Sequence, residues 1–130
     1  MQGTLSQSVA LTTTPTASTT TAKPDGRSKH IVDVYWTPGV TGNILTVLVE
    51  FRPNINTGNA GWIQSHTWSS TAGARTKTND SYTYTASGTS EQAISIPIFE
   101  HPAQEFRIKI SEDSTGGVGK GTYTAYWTSF

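Results

Sequence analysis

The sequence contains no cysteine, and it has few charged residues and no long apolar run. The absence of cysteine from all 130 residues excludes disulfide bonds and thiolate metal sites. No apolar run approaches the length needed to span a bilayer, so we expect no membrane partner. The N-terminal segment MQGTLSQSVAL lacks the basic and apolar regions of a signal peptide, so we expect no secretion.

Charge is scarce and balanced. Lys and Arg together number nine, as do Asp and Glu, so the formal net charge is zero. These residues are scattered singly, whereas a nucleic-acid-binding protein normally gathers its basic residues into a patch or stripe. The charge pattern therefore argues against DNA or RNA as a partner.

The composition favours an all-β protein. Hydrophobic residues make up only 34% of the chain, and Thr, Ser, Gly and Asn take much of the remainder. Hydroxyl side chains suit exposed strand faces, and Gly and Asn suit turns. No stretch sustains apolar residues at the i, i+3, i+4 and i+7 positions of an amphipathic helix. The length corresponds to one domain.

Period-two alternation of apolar and polar residues predicts several half-buried strands. The strongest alternating segments are residues 30–36, 44–52, 93–99 and 105–110. About seven such segments, separated by turn signals, predict an antiparallel β-sandwich of jelly-roll or immunoglobulin-like type over residues 29–130. The residues that the alternation places in its core are Val47, Val49, Phe51, Ile96, Phe106, Ile108 and Trp127.

Residues 1–28 are predicted to form an extended N-terminal arm outside this domain. The segment is rich in Thr and Ser and cannot bury enough apolar area to order itself. A sheet edge or a neighbouring subunit would have to supply its backbone hydrogen bonds. Leu5, Val9 and Leu11 share one parity and are the candidate apolar anchors. We expect the arm to act in assembly by docking on a neighbour.

The glycine-rich segment TGGVGKGT, residues 115–122, superficially resembles a phosphate-binding loop. A P-loop requires G-x-x-x-x-G-K-[ST] followed by a helix whose N-terminus faces the phosphates. Here Gly121 replaces the Ser or Thr, Ser114 replaces the first Gly, and a strand pattern follows. The segment is therefore predicted to be a hairpin loop that binds no nucleotide.

Other catalytic signals are sparse. No G-x-S-x-G nucleophile elbow is present, and His30, His66 and His101 lack metal-ligand spacing. Asp33 and Glu50 form a conceivable carboxylate pair for glycoside hydrolysis, but their positions in the alternation are those of outward-facing polar residues. We therefore expect no catalytic residue, no metal and no cofactor.

Four aromatic residues form a possible binding platform. Trp62 and Trp68 alternate along one segment, and Tyr82 and Tyr84 alternate along a later one. An exposed aromatic row can stack on sugar rings or pack against a protein partner, because it combines apolar area with polar tips. The alternative is that the same row fills the core of the sandwich.

The order of several segments resembles a known class of virion protein. These segments are SKHIVDVYWTPGVTGNILTVLVEFRPN, then AGWIQ, EFRIKISED and GGVGKGTYTAYW. Together they resemble small β-sandwich virion proteins of tailed bacteriophages over residues 28–130. The resemblance is one of strand pattern. It implies a structural role as a capsid decoration or tail-associated subunit, and it transfers no catalytic residue.

We therefore expect a non-enzymatic phage virion structural protein, a capsid decoration or auxiliary subunit made in the host cytoplasm. Its expected partners are the major capsid protein or neighbouring copies of itself, in a homo-oligomer. A tail-associated structural protein is one alternative. A carbohydrate-binding module that uses the aromatic platform is another, and a small hydrolase is the third.

Overall fold

The computed structural model describes residues 1–52, 61–98, 104–114 and 119–130, and it confirms the all-β prediction. Eleven strands and no α-helix occur in these residues. The strands are β1 (Gln2–Ala10), β2 (Thr16–Ala17), β3 (His30–Thr37), β4 (Ile44–Arg52), β5 (Ile63–Gln64), β6 (His66–Thr71), β7 (Ala74–Asn79), β8 (Tyr82–Thr85), β9 (Gln92–Ile98), β10 (Glu105–Asp113) and β11 (Thr122–Ser129).

Two antiparallel sheets enclose the core. Sheet A has the strand order β1-β11-β3-β9. Sheet B has the order β2-β10-β4, and both β5 and β8 pair with the far side of β4. Strands β6 and β7 pair only with each other in the described residues, as a separate two-stranded sheet. The chain therefore forms a sandwich with one hairpin outside its two sheets.

Regular pairing places every second residue of the central strands inside the sandwich. Strands β4 and β10 pair in continuous register from Arg52 opposite Glu105 to Ile44 opposite Asp113. Because successive side chains point to opposite faces of a strand, this register brings Phe51 opposite Phe106 on the inner face. All seven predicted core residues are buried, which confirms the predicted alternation.

The N-terminal segment is part of the sandwich, which corrects the prediction of a separate arm over residues 1–28. Strand β1 pairs antiparallel with β11 at the edge of sheet A, and β2 pairs with β10 in sheet B. Leu5 is 0% exposed and Leu11 is buried with it in the common core, while Val9 packs partly against that core. The proposed anchors therefore pack within their own domain.

Two physical features explain how so polar a segment becomes ordered. The edge of β11 supplies the ladder hydrogen bonds that the segment cannot make alone. Threonine hydroxyls satisfy further backbone groups, because Thr20 Oγ1 donates to the Thr4 carbonyl at 2.6 Å and Thr19 Oγ1 donates to the Leu5 carbonyl at 3.0 Å. Hydroxyl side chains thus bond the backbone directly, as they commonly do in irregular segments.

Strand β1 should therefore be required for stability. Leu5→Ala removes a fully buried side chain from the core and should lower the free energy of unfolding by about 2 to 5 kcal/mol. Gln7→Ala, on the exposed side of the same strand, should change it by less than about 0.5 kcal/mol. Urea denaturation of the two variants measures the difference, and equal midpoints would place β1 outside the core.

Candidate interaction surface

A buried carboxylate closes the end of the sandwich beside the glycine-rich segment. Glu112 is 0% exposed. Its Oε1 accepts hydrogen bonds from Trp36 Nε1 at 2.8 Å and from the Gly121 amide at 3.0 Å. Its Oε2 accepts from the Gly39 amide at 3.0 Å and from Asn43 Nδ2 at 2.6 Å. Four donors from three chain segments therefore surround one anion.

This arrangement explains Gly121, one of the glycines of the segment that superficially resembled a phosphate loop. A Cβ atom at Gly121 would lie 1.6 Å from the Thr37 carbonyl oxygen, so only glycine lets the two backbones approach. The Gly121 amide is already bonded to Glu112, which is an anion of the chain itself. Strand β11 follows directly, as the sequence predicted. Residues 115–118 lie outside the described residues.

The hydrogen bonds to Glu112 determine its ionisation state. Burial by itself raises the pKa of this carboxyl, but the donors on Asn43, Trp36, Gly39 and Gly121 together outweigh burial and lower the pKa below its ordinary value. The group is therefore a structural anion. A buried charge held by four donors is fully compensated and does not act as a proton donor near neutral pH.

The histidines and the remaining carboxylates are not gathered into one site. His30 is buried, with Nδ1 2.7 Å from Ser129 Oγ, and His66 Nδ1 lies 2.8 Å from the Gln64 carbonyl oxygen. His101 lies outside the described residues. Within the described ranges, no group of three His, Cys, Asp or Glu residues could hold a metal ion.

Asp33 and Glu50 do not face each other. Asp33 is on the outer face of sheet A, where it accepts a hydrogen bond from Ser95, and Glu50 is on β4 of sheet B. Arg107 Nε donates to Glu50 Oε1 at 2.8 Å. The two carboxylates belong to opposite outer faces, as their outward positions in the alternation predicted.

Trp62 and the two tyrosines of the predicted aromatic platform do not share a face. Tyr82 and Tyr84 lie opposite Val47 and Leu45, so they face the core and are half-buried against it. Burial raises the pKa of both phenols. Trp62 belongs instead to the outer side of sheet B, where two guanidinium groups lie over its ring. These are Arg52 at 4.8 Å and Arg107 at 4.2 Å from the ring centroid.

Trp68 has a different position, on the hairpin that β6 and β7 form. This hairpin leaves sheet B where the Ser65 amide donates to the Val49 carbonyl and the Asp80 amide donates to the Ser65 carbonyl. His66 is partly covered, and every residue from 67 to 79 is exposed. Ala72 (φ 51°) and Gly73 (φ 82°) both have positive φ, as a tight type I′ hairpin turn requires. The hairpin projects from the sandwich edge and adds nothing to the core.

The two faces of the hairpin differ in chemistry. One face pairs Trp68 with Lys77, and the Arg75 guanidinium lies 5.3 Å from the Trp68 ring centroid. Trp68 is 53% exposed and lies beside these two cations. The other face consists of small and hydroxyl residues, Thr67, Ser69, Thr71, Ala74, Thr76 and Thr78.

A second exposed aromatic group, missed by the sequence reasoning, lies on the outer face of sheet A. Tyr35 and Tyr126 are 37% and 41% exposed, and their ring centroids are 5.9 Å apart in an edge-to-face arrangement. Asp33 is directly opposite Tyr126 in the β3–β11 register. A shallow cleft of about 360 Å³ beside the pair is lined by Glu91 and Thr124 as well as the two rings.

No family model, no curated protein and no solved structure matches this chain. Among the described residues there is no helix with the length and apolar character needed to cross a membrane. The functional proposal therefore rests on the exposed hairpin and on the outer face of sheet A.

Replacing the buried carboxylate should expose its structural role. Glu112→Gln removes the charge and turns an amide donor toward groups that already donate, so it should cost about 1.5 to 3 kcal/mol of stability at pH 7. Asp113→Asn, the exposed neighbour, should cost less than about 0.5 kcal/mol. Urea midpoints measured at neutral pH give both values.

The pH dependence provides a second measurement on the same variants. Because the pKa of Glu112 is lower in the folded than in the unfolded chain, its ionised form stabilises the fold above the unfolded pKa of about 4.3. This stabilisation is lost as the pH falls through the folded pKa. The gap between wild type and Glu112→Gln should therefore narrow in acid, and a gap that does not change with pH would contradict the assignment.

Proposed function

We propose that this protein is a non-enzymatic structural subunit of a phage particle, a capsid decoration or auxiliary protein that binds its neighbours through the hairpin of β6 and β7. The observation that carries the proposal is the exposure of that hairpin on both faces. The strand-pattern resemblance to small virion β-sandwich proteins supports the phage setting. A tail-associated subunit would use the same hairpin in the same way.

The energetics of an isolated hairpin support a role in binding. A two-stranded sheet is at best marginally stable in water, because ordering its backbone costs more than its few contacts return. Here twelve residues are ordered as strand without burying apolar area in the core. A partner that covers one face or pairs with one edge would supply the missing stabilisation. Exposed strands without such a partner are an aggregation hazard.

The hairpin replaces the N-terminal segment as the assembly element. Residues 1–28 are committed to the sandwich through β1 and β2, so their anchors are not available to a neighbour. The carbohydrate-binding alternative relied on Trp62, Trp68, Tyr82 and Tyr84 acting together. Because the tyrosines face the core and the tryptophans lie on other parts of the surface, these residues do not present one stacking platform.

Shortening the hairpin tests the proposal. Replacing residues 67–78 by Asn-Gly should keep a β-type far-ultraviolet circular dichroism spectrum and shift the melting temperature by only a few degrees, because the removed residues contribute nothing to the core. The shortened protein should be lost from purified particles of the phage that encodes it, as quantified by mass spectrometry. Thr85→Ala, exposed on β8, is the matched control and should be incorporated normally.

Two results would contradict the proposal. One is incorporation of the shortened protein at the wild-type copy number, which would show that the hairpin is not needed for binding to the particle. The other is global unfolding of the shortened protein, which would make the hairpin part of the folding unit.

A further inference from the structure

We infer that the partner of the hairpin is a second copy of this chain, and that the hairpin face bearing Trp68, Arg75 and Lys77 docks on the outer face of sheet A around Tyr35 and Tyr126. This inference rests on the proposed function of the hairpin as the assembly element. It adds the identity of the partner and the surface that receives the hairpin. The two surfaces are called the donor face and the acceptor face below.

The donor face is positively charged. Residues 66–79 include Arg75, Lys77 and His66 but no Asp or Glu. The two cations flank Trp68, one opposite it in the register and the other over its ring. Tryptophan and arginine are the side chains most enriched at the energetic centres of protein interfaces. The donor face therefore combines an apolar anchor with positive charge.

The acceptor face has the opposite charge. The four strands of sheet A contain no Lys or Arg at all. Their outward residues include Asp33, and Glu91 directly precedes β9 and lines the same cleft as Tyr35 and Tyr126. The two exposed rings offer edges and faces on which an indole and a guanidinium can pack.

Complementary charge selects this pairing over other self-contacts. A surface with cations and no acids meets a surface with acids and no cations, which favours correct docking and disfavours contact between like surfaces. The chain has no net charge, so the positive hairpin is balanced by a negative remainder.

Geometry requires two molecules. The hairpin projects from the edge of sheet B that β5 and β8 form along β4. The acceptor face is the outer side of sheet A, which points away from sheet B. The contact therefore joins different patches of two copies, and such a heterologous contact repeats into a closed ring or an open filament.

We expect a single contact between one donor face and one acceptor face to have low affinity. Two six-residue strands present a face of about 20 Å by 10 Å, far below the roughly 800 Å² per partner of a standard stable interface. Ring closure or attachment to a repetitive particle surface would strengthen it by making successive contacts intramolecular. Self-association in solution should accordingly depend on protein concentration and weaken with salt.

Charge reversal on each face tests the inference by sedimentation velocity at low ionic strength. The donor-reversed variant carries Arg75→Glu and Lys77→Glu, and the acceptor-reversed variant carries Asp33→Lys and Glu91→Lys. Each alone should sediment as a monomer at concentrations where the wild type associates. An equimolar mixture of the two should regain association, because each reversed face then meets a complementary face.

The controls separate charge pairing from loss of folding. Lys23→Glu with Lys120→Glu changes the same number of exposed cations away from the hairpin and should associate as the wild type does. Circular dichroism verifies that all variants are folded. If Asp33→Lys disturbs sheet A, Glu91→Lys alone serves as the acceptor-reversed variant, since Glu91 is exposed and lies outside the strands.

Three outcomes would overturn the inference: a wild-type protein that is monomeric at every concentration, reversed variants that associate normally, or a mixture that fails to regain association. None of these affects the proposed function if shortening the hairpin still removes the protein from particles, because the hairpin would then bind a different virion protein. Normal incorporation of the shortened protein would instead refute the proposed function itself.

Discussion

The carboxylate of Glu112 is fully buried and bonded to four donors, and it constrains how the two sheets meet. A buried charge is tolerable only when its hydrogen-bonding capacity is met, so these donors must remain in place. Glu112 belongs to sheet B, whereas Trp36 belongs to sheet A and Gly121 directly precedes the last strand of that sheet. One anion therefore bonds to both sheets at one end of the sandwich. It also holds the Gly121 backbone close to the Thr37 carbonyl, a separation that only glycine permits.

The scarcity of apolar residues explains why the N-terminal segment is needed. Hydrophobic residues make up only 34% of the chain, and burial of apolar area is the main contribution to the stability of a core. Leu5 and Leu11 contribute to the same core as Phe106 and Trp127. Thr19 and Thr20 of the same N-terminal segment donate their hydroxyls to backbone carbonyl groups of β1. In the described residues, the hairpin of β6 and β7 is the strand pair that contributes no residue to the core.

Alternation in the sequence predicted the strands that have one buried and one outward face. It did not predict the features that depend on which strands pair. β3, β4 and β9 follow the period-two pattern along their length, and β10 follows it from Phe106 to Ile110, so their core faces could be read directly. The alternation from Trp62 to Trp68 looked like one strand, but Ser65 interrupts it. Trp62 precedes the short strand β5, whereas Trp68 is on β6. The pairing of Tyr35 with Tyr126 depends on the β3–β11 register, which no local pattern contains. The pairing of β1 with β11 likewise depends on which strand forms the edge of sheet A, and no local sequence pattern shows that.

Folding and the association proposed above use different residues, so the two are physically separable. The core and the Glu112 cluster hold the sheets together without any contribution from Trp68, Arg75 or Lys77. The hairpin residues can therefore vary in charge and shape at little cost to stability, whereas the core residues cannot. The same holds for the proposed acceptor face, since Tyr35 and Tyr126 are exposed residues of strands whose other face is buried in the core. A partner surface can thus be built on the outside of the sandwich without disturbing the packing that determines the fold.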